Sequence, residues 1–419
     1  MQWWLMVSVG AATCRPKYKS FLTNFLQKSR IYRKVNDDMN LDELRGKIDQ
    51  IDDTLFGLFE ERMDTVSEIA ALKQASDLPT LDRGREEQKL RELASKVRPE
   101  FEPYAHTLYD TLFELSRSYQ YSSRKNHSPL YTEIQDAIEN TNKLFPPSAT
   151  VACQGVEGAF SQLACTRLFK RPSISYFKTF DNVFSAIENG LCDYGVLPLE
   201  NSTAGSVTKI YNLMQSHNFK IVKSLRLKVD HNLIAPKGVK REDIREIFSH
   251  EQAISQCAGF LEQFGSSVKI TPCENTAAAA QIVVESGRRD AAAISSQSCV
   301  DLYDLNCLAR DIQDRSNNYT RFICISNRLE IYPGADRTSI MMVLPHRPGS
   351  LYKALARFYA MGIDLTKLES RPLPDRDFEF MFYFDLQTSV YSEEFARLLD
   401  SMQEFCDEFK YLGSYIEVV

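Results

Sequence analysis

Apolar positions from Leu41 to Leu58 repeat with the spacing of one long amphipathic helix. They fall at 41, 44, 48, 51, 55 and 58, and these alternating steps of three and four are typical of a helix with a single apolar seam. Continued along the helix, the seam reaches Arg62. A guanidinium in an apolar stripe is costly unless an anion meets it. Arg62 is therefore predicted either to pair with a carboxylate of the protein or to contact a ligand.

Two more cations lie on this predicted helix. Lys73 follows Arg62 by eleven residues, which at about 100° per residue returns it to within roughly 20° of the same face. Arg45 precedes Arg62 by seventeen residues and by the same geometry points about 100° away. On one straight helix, Arg45 is therefore predicted to serve a different site from Arg62.

After Pro146 and Pro147, short apolar runs alternate with helical patterns. Strands are predicted at 150–154, 173–177, 194–199, 244–248, 268–272, 291–295 and 321–325. This alternation favours mostly parallel sheets covered by helices. Residues 122–148 are polar and compatible with a helix, and we interpret them as a connector that ends at the two prolines.

The pattern changes again at Arg337. It predicts strand 338–344, helix 350–361, strands 365–370 and 378–385, helix 393–406 and strand 411–416. This βαββαβ order is ferredoxin-like. A chain of 419 residues, at about 150 residues per domain, holds two to four domains, and the three patterns favour three.

The composition narrows the expected ligands. With 43% hydrophobic residues, 25% charged residues and a formal net charge of -6, the chain is typical of a soluble globular protein and lacks the polybasic face that nucleic acid would require. Small anions, met by local positive charge, are the expected ligands. The ten Cys show no C-x-x-C spacing and the six His are scattered, so we expect no metal, no other cofactor, and reduced thiols in the cytosol.

The first 38 residues carry seven Lys or Arg against two Asp. Their apolar patch at 3–12 is too short to span a membrane, and no positive segment precedes it, so neither a secretory signal nor membrane association is expected. A transit peptide is the alternative, which the bacterial arrangement of the following domains disfavours. Met39 leads directly into the predicted helix. We therefore expect the native protein to start at Met39, with 1–38 as an untranslated or disordered extension, and a cytoplasmic location.

Two dense polar clusters stand at the ends of predicted strands. One, from Asn318 to Phe322, puts an amide, the Thr320 hydroxyl and the Arg321 guanidinium at the start of a strand, which indicates an anion site with a proton donor. The other, from Pro198 to Val207, follows the strand at 194–199. Ligands of α/β sheets bind at such strand ends, so the two clusters are predicted to share a cleft.

Two helix starts are further candidates. The segment from Gly155 to Ser161 follows the first strand, and its amides and the Ser161 hydroxyl can face an anion, although such a segment is more often a tight turn with an N-cap. A second segment follows the strand at 244–248 and contains His250, Gln252 and Gln256. The alternative interpretation is a capped helix with a surface His.

Together these segments resemble prephenate dehydratases, and the flanking sequence resembles the rest of the bifunctional chorismate mutase/prephenate dehydratases. The resemblance covers nearly everything after Met39. It implies an all-α chorismate mutase domain at 39–121 and a two-lobed α/β dehydratase domain at 149–329, similar to periplasmic binding proteins. An α+β, ferredoxin-like ACT regulatory domain would occupy 337–419.

The mutase resemblance rests on Asp42 to Asp49, Glu61-Arg62, Leu72-Lys73 and Leu81 to Glu86. It implies an intertwined dimer in which Arg62 and Arg45 of the partner subunit hold the two carboxylates of chorismate. Lys73 and Gln120 would donate to the ether oxygen, and Glu86 would take the ring hydroxyl. The pocket would be completed by Asp82, Arg85 and Ser116. Ser116 and Gln120 share a face, and alone they are equally compatible with ordinary helix surface. The rearrangement requires positioning and electrostatics, and no nucleophile.

Prephenate loses carbon dioxide and its ring hydroxyl together. The site needs a proton donor at the hydroxyl, groups that hold the pyruvyl carboxylate and a less solvated place for the ring carboxylate. By resemblance, Thr320 lies near the leaving hydroxyl and Arg321 holds a carboxylate or a position. Glu200 is a candidate acid if burial favours its protonated form, and the identity of the donor stays open. The other implied contacts are Ser161, Asn201, Thr203, His250, Gln252, Gln256, Asn318 and Phe322.

Two segments of the last domain resemble the phenylalanine-binding segments of ACT domains. They are Pro348, Gly349, Ser350 and Leu351, and Glu369, Ser370, Arg371 and Pro372. Ser350 stands where the family commonly has Ala, and the first segment alone is only a helix start. Together they imply that L-phenylalanine binds between paired domains, hence feedback inhibition and a homodimer or higher oligomer.

The combined prediction is a cofactor-free bifunctional enzyme of phenylalanine synthesis, which converts chorismate to prephenate and prephenate to phenylpyruvate. One alternative keeps the fold but prefers arogenate, the amino counterpart of prephenate. The other is a non-catalytic sensor that only binds ligands. The presence of Arg62, Lys73, Gln120 and Thr320 at matching positions argues against the sensor, because binding alone would not require all four.

Overall fold

The computed structural model describes residues 40–76, 78–122, 128–373, 376 and 379–419. The predicted extension and the expected start at Met39 lie outside this part of the chain. Within it, no helix is long and apolar enough to cross a membrane, and no group of three His, Cys, Asp or Glu side chains could hold a metal ion. The chain divides into two compact units, Met1–Leu78 and Pro79–Val419.

Helix α1, Leu41–Ala75, makes up most of the described part of the first unit. It begins after Asn40, whose Oδ1 accepts a hydrogen bond from the Asp42 backbone N–H at 3.4 Å, as an N-cap does. The predicted apolar seam lies on this helix, but its side chains are exposed. More than half of the surface is exposed for each of Leu41, Ile48, Ile51, Leu55 and Leu58. A long apolar stripe in water is typical of a surface that a partner covers.

Three helices open the second unit: α2 (Arg83–Ala94), α3 (Glu102–Ser122) and α4 (Pro129–Asn140). Asp82 caps α2 by accepting a hydrogen bond from the Arg85 backbone N–H at 3.0 Å, and a 3-10 turn, Pro99–Phe101, precedes α3. Helix α4 falls in the predicted connector. Its Ile134 is fully buried in the core of the C-terminal sheet, so this helix is packed structure.

The first sheet contains β1 (Ser148–Gln154), β2 (Arg171–Phe177), β3 (Tyr194–Asn201), β4 (Gly205–Ser206), β5 (Lys220–Lys228), β11 (Tyr319–Ser326) and β16 (Glu417–Val418). Their order is β16-β5-β11-β3-β1-β2, with β4 beside β3. Strand β1 is parallel to β2 and β3, whereas β11 is antiparallel to β3 and β5. The helices of this lobe are α5 (Phe160–Leu168), α6 (Phe180–Glu188) and α7 (Thr208–Ser216).

The second sheet contains β6 (Asn232–Ala235), β7 (Glu246–His250), β8 (Lys269–Cys273), β9 (Ala291–Ser295) and β10 (Asn306–Ala309). Their order is β10-β6-β9-β7-β8. Strand β7 is parallel to β8 and β9, and β6 is antiparallel to β9 and β10. The helices of this lobe are α8 (Glu251–Gln256), α9 (Ala258–Leu261), α10 (Thr276–Ser286) and α11 (Gln297–Leu302).

The seven strands predicted for this region all form, each with ends within two residues of the prediction. The prediction of mostly parallel sheets is wrong, because the apolar pattern misses β5, β6 and β10. The chain passes from the first sheet to the second between β5 and β6 and returns between β10 and β11. No crossover helix separates these strands, and both sheets are therefore mixed. Strand β5 mixes Lys and Arg with its apolar residues, and β6 has only four residues, which weakens their signal.

The C-terminal part contains β12 (Arg337–Val343), α12 (Ser350–Ala360), β13 (Asp364–Pro372), β14 (Phe380–Gln387), α13 (Glu393–Phe405) and β15 (Glu408–Tyr415). The strand order is β13-β14-β12-β15, antiparallel throughout. The predicted βαββαβ order is confirmed.

The C-terminal sheet shares a hydrophobic core with the first sheet. Leu197 of β3 and Ile323 of β11 are buried with Tyr383 and Leu412 of the C-terminal strands, and β16 extends the first sheet by pairing parallel to β5. At Gly413 of β15, φ is 141°, and a Cβ would lie only 2.2 Å from the carbonyl oxygen of Ile221 on β5. The two sheets therefore come into backbone contact at this glycine.

A buried arginine joins the same two sheets electrostatically. Arg321 of β11 is 6% exposed, and its Nη1 pairs with Asp385 of β14. Its Nε pairs with Glu417 Oε2 at 3.0 Å, and its Nη2 donates to the Tyr415 hydroxyl at 2.9 Å. Burial by itself would lower the pKa of Arg321, but Tyr415 and Asp385 outweigh it and raise that pKa. The guanidinium therefore stays charged in the core.

We expect Gly413→Ala to weaken the packing of the C-terminal sheet on β5. The added Cβ meets a backbone carbonyl and the positive φ strains any L side chain, so the free energy of unfolding should fall by about 1–3 kcal/mol. Gly57→Ala in α1 is the matched control, because its Cβ position is open and Ala stabilises a helix relative to Gly by about 1 kcal/mol. Urea unfolding followed by circular dichroism measures both, and equal stability would contradict the close approach.

Arg321→Leu should destabilise the protein further, because it leaves Asp385 and Glu417 buried without this partner. Removing one member of a buried ion pair costs about 3–5 kcal/mol. Arg226 also pairs with Glu417, at 2.9 Å, but its side chain is half exposed, so Arg226→Leu should cost less than about 1 kcal/mol. Thermal unfolding compares the two variants. Equal, small losses would show that the cluster does not hold the sheets together.

Candidate functional site

The polar clusters at the ends of β3 and β11 face one cavity of about 480 Å³. Asn201, Thr320 and Phe322 line it from the first sheet, and His250 and Gln256 line it from the second. The structure thus brings both predicted clusters to a single cleft between the lobes.

Backbone amides fix the orientation of Asn201. Its Oδ1 accepts hydrogen bonds from the backbone N–H groups of Thr203 and Ala204 at 3.0 and 2.9 Å. The carboxamide nitrogen must then point the other way, where it donates to Asn318 Oδ1 at 2.8 Å and to Thr320 Oγ1 at 3.0 Å. Asn201 therefore acts as a rigid donor toward Thr320.

Gln256 of α8 extends this network across the cleft. Its Nε2 donates to Thr203 Oγ1 at 2.6 Å, and its Oε1 accepts from Asn318 Nδ2 at 3.1 Å. A side chain of the second lobe thus completes the polar cluster of the first. Separation of the lobes would break both contacts.

Thr320 faces the cleft with its hydroxyl proton available. Its oxygen accepts from Asn201, and among the described residues no acceptor takes its hydrogen. The hydroxyl is therefore oriented to donate to a ligand in the cleft.

The structure corrects the expectations for Arg321 and Glu200. Successive side chains of a strand point to opposite faces, so Arg321, next to Thr320, points away from the cleft into the cluster with Asp385. Glu200, next to Asn201, also points away, and its Oε2 accepts from Lys367 Nζ at 2.7 Å. Neither lines the cavity. Arg321 is therefore not placed to hold a substrate carboxylate there, whereas its alternative role of holding a position stays a prediction, and Glu200 is not placed to act as the acid.

Of the other predicted cleft residues, four lie in the cavity wall: Ser161, His250, Gln252 and Phe322. Thr203 and Asn318 do not line the cavity and instead hydrogen-bond to Gln256. Ser161, which is buried, lies in the first turn of α5, and Phe322 follows Thr320 on the same face of β11. His250 is the N-cap of α8, and its Nδ1 accepts from the Gln252 backbone N–H at 3.3 Å. The alternative interpretation is right that the helix is capped, but His250 is partly buried in the cavity wall and is not a surface His. Its contact with the substrate stays a prediction.

His231 is a cleft residue that the sequence analysis missed. It precedes β6, lines the cavity and is 3% exposed. Its Nε2 lies 2.9 Å from Gln256 Oε1. Burial lowers the pKa of this imidazole, an effect that Gln256 and Asp230 oppose. A single His before an unpredicted four-residue strand carries no motif, and only the fold reveals it.

Within the second unit, the predicted mutase residue Glu86 takes part in a charged contact between α2 and α3. Glu86 pairs with Arg117, which also pairs with Glu114, and Glu114 pairs with Arg357 of α12 at 2.6 Å. Burial would lower the pKa of Arg117, but Glu114 and Glu86 outweigh it and raise the pKa. The predicted acceptor Glu86 is thus linked through charges to the C-terminal domain.

The remaining predicted residues of α2 and α3 differ in whether their polar side-chain atoms have hydrogen-bond partners. Asp82 caps α2, Arg85 Nη1 donates to Gln88 Oε1 at 3.4 Å, and Ser116 Oγ donates to the Leu112 carbonyl at 2.5 Å. Gln120 Oε1 is buried without a hydrogen-bond partner in the described part of the chain. A buried unpaired polar atom is uncommon in native proteins, so Gln120 is suited to bind a ligand.

The cations of the first unit lie on α1. Arg45 pairs with Asp42 at 3.2 Å on an exposed surface, and Arg62 and Lys73 lie farther along the same helix. Because these three belong to one compact unit and Glu86 and Gln120 to the other, the combined mutase pocket stays a prediction.

The second segment predicted to bind phenylalanine, Glu369 to Pro372, lies against the rim of the cleft. Glu369 Oε2 accepts from Ser206 Oγ at 2.7 Å, and Arg371 Nη2 donates to Thr208 Oγ1 at 3.2 Å. Ser206 itself lines the cavity. The C-terminal sheet therefore touches the wall of the cleft directly. The phenylalanine-binding role stays a prediction for all eight residues of the two segments: Pro348, Gly349, Ser350, Leu351, Glu369, Ser370, Arg371 and Pro372.

Comparisons with known proteins agree with this layout. Residues 44–121 match the family model for chorismate mutase type II, and residues 151–330 match the model for prephenate dehydratase. The bifunctional chorismate mutase/prephenate dehydratase of Aquifex aeolicus is 31% identical over 376 residues, which cover 90% of this chain and 97% of the relative.

Two further similarities each cover about two thirds of the chain. The arogenate dehydratase/prephenate dehydratase 2 of Arabidopsis thaliana is 39% identical over 295 residues, 68% of this chain and 75% of the relative. The solved prephenate dehydratase of Arthrobacter aurescens in complex with L-Phe is 27% identical with a TM-score of 0.59, covering 64% of this chain and 89% of that one. Because both domains are matched and the Aquifex aeolicus relative is matched almost end to end, the chain belongs to the bifunctional chorismate mutase/prephenate dehydratases.

Proposed function

We propose that this chain rearranges chorismate to prephenate in its helical part and converts prephenate to phenylpyruvate in its cleft, as two steps of L-phenylalanine synthesis. The observation that supports the second step most strongly is the arrangement at Thr320. Asn201 donates to the Thr320 oxygen at 3.0 Å, so the hydroxyl hydrogen is left for the substrate.

The groups around the cleft meet the needs of the dehydratase reaction. Ser161 and the amides at the start of α5 offer hydrogen bonds to the pyruvyl carboxylate. Phe160 and Phe322 form an apolar part of the wall, where a ring carboxylate is less solvated and departs more readily as carbon dioxide. Thr320 donates to the ring hydroxyl as its C–O bond breaks. The electron pair of the bond between the ring and its carboxylate enters the ring when carbon dioxide leaves. The ring becomes aromatic, which drives the reaction.

The mutase pocket is proposed to form between two copies of α1 and the helices that follow. Arg62 and Arg45 of the partner subunit would hold the carboxylates of chorismate, and Lys73 and Gln120 would stabilise the charge at the ether oxygen. The exposed apolar seam of α1 supports a homodimer, because a second copy of the helix would cover it. Nε2 of Gln120 would be the donor to the ether oxygen, and its unpaired Oε1 is left to accept a hydrogen bond from another group of the complete pocket.

We further propose that the C-terminal domain is an ACT domain that binds L-phenylalanine and inhibits the dehydratase. Its βαββαβ order and the contacts from Glu369 to Ser206 and from Lys367 to Glu200 support this role. A ligand that moves β13 would act on the cleft wall through the hydrogen bonds of Lys367 and Glu369 with Ser206. The Arthrobacter aurescens neighbour was solved in complex with L-Phe.

A second candidate substrate is arogenate. The similarity to the Arabidopsis thaliana arogenate dehydratase/prephenate dehydratase favours it, and arogenate differs from prephenate only by an amino group in place of the keto oxygen. Comparison of kcat/KM for the two substrates separates the candidates.

Thr320→Ala should abolish most of the dehydratase activity and spare the mutase. The loss of one positioned donor lowers kcat by about 10²–10³-fold, while the mutase residues lie on other helices. Thr320→Ser keeps the hydroxyl and is the matched control, with most of the activity retained. Phenylpyruvate formation from prephenate and prephenate formation from chorismate measure the two activities. Comparable losses of both in Thr320→Ala would argue against separate sites.

Saturating L-phenylalanine should lower the dehydratase rate, and Glu369→Ala should raise the concentration needed for half inhibition. Glu369 joins β13 to Ser206 in the cleft wall, so its loss should weaken the coupling between the two domains. The concentration of phenylalanine needed for half inhibition should rise about tenfold, within the usual range of allosteric coupling. Glu379→Ala is the control, because Glu379 pairs only with Arg376 among the described residues, near the surface. Unchanged dehydratase kinetics in saturating phenylalanine would exclude the regulatory role.

A further inference from the structure

The dehydratase reaction needs a proton for the leaving hydroxyl, and the described part of the cleft wall offers few sources. The titratable side chains that line it are His231, His250 and Glu274. Glu274 is exposed, and His250 uses its Nδ1 to cap α8. Glu200 faces away from the cleft. His231 is the buried candidate.

The surrounding hydrogen bonds fix the tautomer of His231. Backbone N–H groups orient Asn201, so its Nδ2 donates to Asn318 Oδ1. Asn318 must then present Nδ2 to Gln256, whose Oε1 accepts it. The same Oε1 lies 2.9 Å from His231 Nε2, and an amide oxygen can only accept. His231 Nε2 therefore carries a hydrogen and donates it to Gln256.

The other ring nitrogen is left for a ligand. With Nε2 protonated, neutral His231 has a bare lone pair on Nδ1. That atom is buried and has no hydrogen-bond partner among the described residues, and the ring of Phe160 stands edge-on to the imidazole with the ring centroids 6.0 Å apart. A buried polar atom without a partner is unfavourable. Because His231 lies in the cleft wall, a bound substrate can supply the missing hydrogen-bond partner of Nδ1.

We propose that His231 is the general acid of the dehydratase, and that its Nδ1 delivers a proton to the leaving hydroxyl. This proposal rests on the proposed function of the cleft. The bond between the ring and its carboxylate breaks, and its electron pair enters the ring. The C–O bond breaks toward oxygen, which takes the Nδ1 proton and leaves as water. The products are carbon dioxide, water and phenylpyruvate, and neutral His231 regains one proton from solvent.

Thr320 and His231 would have different roles at the leaving hydroxyl of the substrate. The proton of an aliphatic alcohol is held too tightly to be given up near neutral pH, so Thr320 orients the leaving oxygen by a hydrogen bond. An imidazolium can release its proton in this range. Gln256 touches both parts of the network, because it contacts His231 through Oε1 and Thr203 through Nε2. The position of the proton donor therefore depends on closure of the two lobes.

The charged state of His231 should depend on the substrate. In the empty cleft, burial lowers its pKa below the usual 6.5, while the Gln256 contact and the nearby Asp230 oppose this shift. His250 and Glu274 are the other titratable groups of the described wall. Prephenate brings two negative charges close to the ring, and these favour the imidazolium. Binding of the substrate would thus favour the protonated form of His231, which is the form that can act as the acid.

The sign of the pH dependence follows from this scheme. The acid must be protonated, so kcat/KM should be constant at low pH and fall about tenfold per unit above the pKa of free His231. The fall in kcat should occur at a higher pH, because kcat reports the enzyme with substrate bound. A wild-type kcat/KM that does not fall as pH rises would overturn the proposal without any variant.

Two substitutions separate proton delivery from positioning. His231→Gln can keep the contact to Gln256 but loses the Nδ1 group. His231→Asn places an amide near Nδ1 that can donate a hydrogen bond but cannot release a proton. For both we expect kcat of the full-length enzyme on prephenate to fall by about 10²–10⁴-fold. The decrease of kcat and kcat/KM with rising pH, the pH-dependent limb, should also disappear. Mutase activity, which does not use His231, should be unchanged and reports on folding.

Each result decides the question. Near-wild-type kcat in His231→Gln, or recovery of activity in His231→Asn, would show that no proton comes from this ring. A pH-dependent limb that persists in either variant would identify another acid. If the wild-type chain forms no phenylpyruvate at any pH, the proposed function fails, and the role of His231 fails with it. Phenylpyruvate formation with an unaffected His231 variant would remove only the role of His231.

Discussion

The buried cluster around Arg321 is the interaction on which the dehydratase half depends. One guanidinium on β11 is shared by Asp385 and Glu417 of the C-terminal region, one residue away from Thr320 in the cleft. Because neighbouring residues of a strand face opposite ways, a single step along β11 places a hydroxyl in the cleft and an ion pair between the sheets. Asp385 is fully buried and also accepts from the Tyr383 hydroxyl at 2.6 Å. Separating Arg321 from Asp385 and Glu417 would leave buried charges without a partner. We therefore expect β11 and the C-terminal sheet to move together.

A second connection lies at the edge of the cleft. Lys367 of β13 donates to both Glu200 and Ser206, at 2.7 and 2.9 Å, and Glu369 accepts from Ser206. The strands that carry Asn201 and Thr320 are therefore held on one side by the C-terminal domain and on the other by the network with Gln256. The proposed regulation of the cleft needs no long pathway through the protein, because side chains of β13 contact Glu200 and Ser206 directly. The contacts of Arg357 with Glu114 and of Glu86 with Arg117 extend the same pattern to the mutase helices.

Much of this architecture could be predicted from the sequence, and the limits have physical causes. The apolar periodicities predicted seven strands of the two lobes and the βαββαβ order, and the two polar clusters indicated that Asn201 and Thr320 share a cleft, as they do. The helix-start segment with Gln256 lies in the same cleft. Arg321 and Glu200 were misplaced because a motif identifies residue types but not which face of a strand is covered by another domain. Strands β5, β6 and β10 were missed because they are charged or short. His231 carried no local signal, since its importance comes from a network whose members are distant in sequence.

The most direct test of the two assigned reactions is to incubate the purified full-length protein with chorismate and to follow prephenate and phenylpyruvate separately with time. We predict that prephenate appears first and that phenylpyruvate then forms at its expense, without added metal or cofactor. Prephenate that accumulates without phenylpyruvate would contradict the assignment of the cleft. Unchanged chorismate would contradict the assignment of the helices as well.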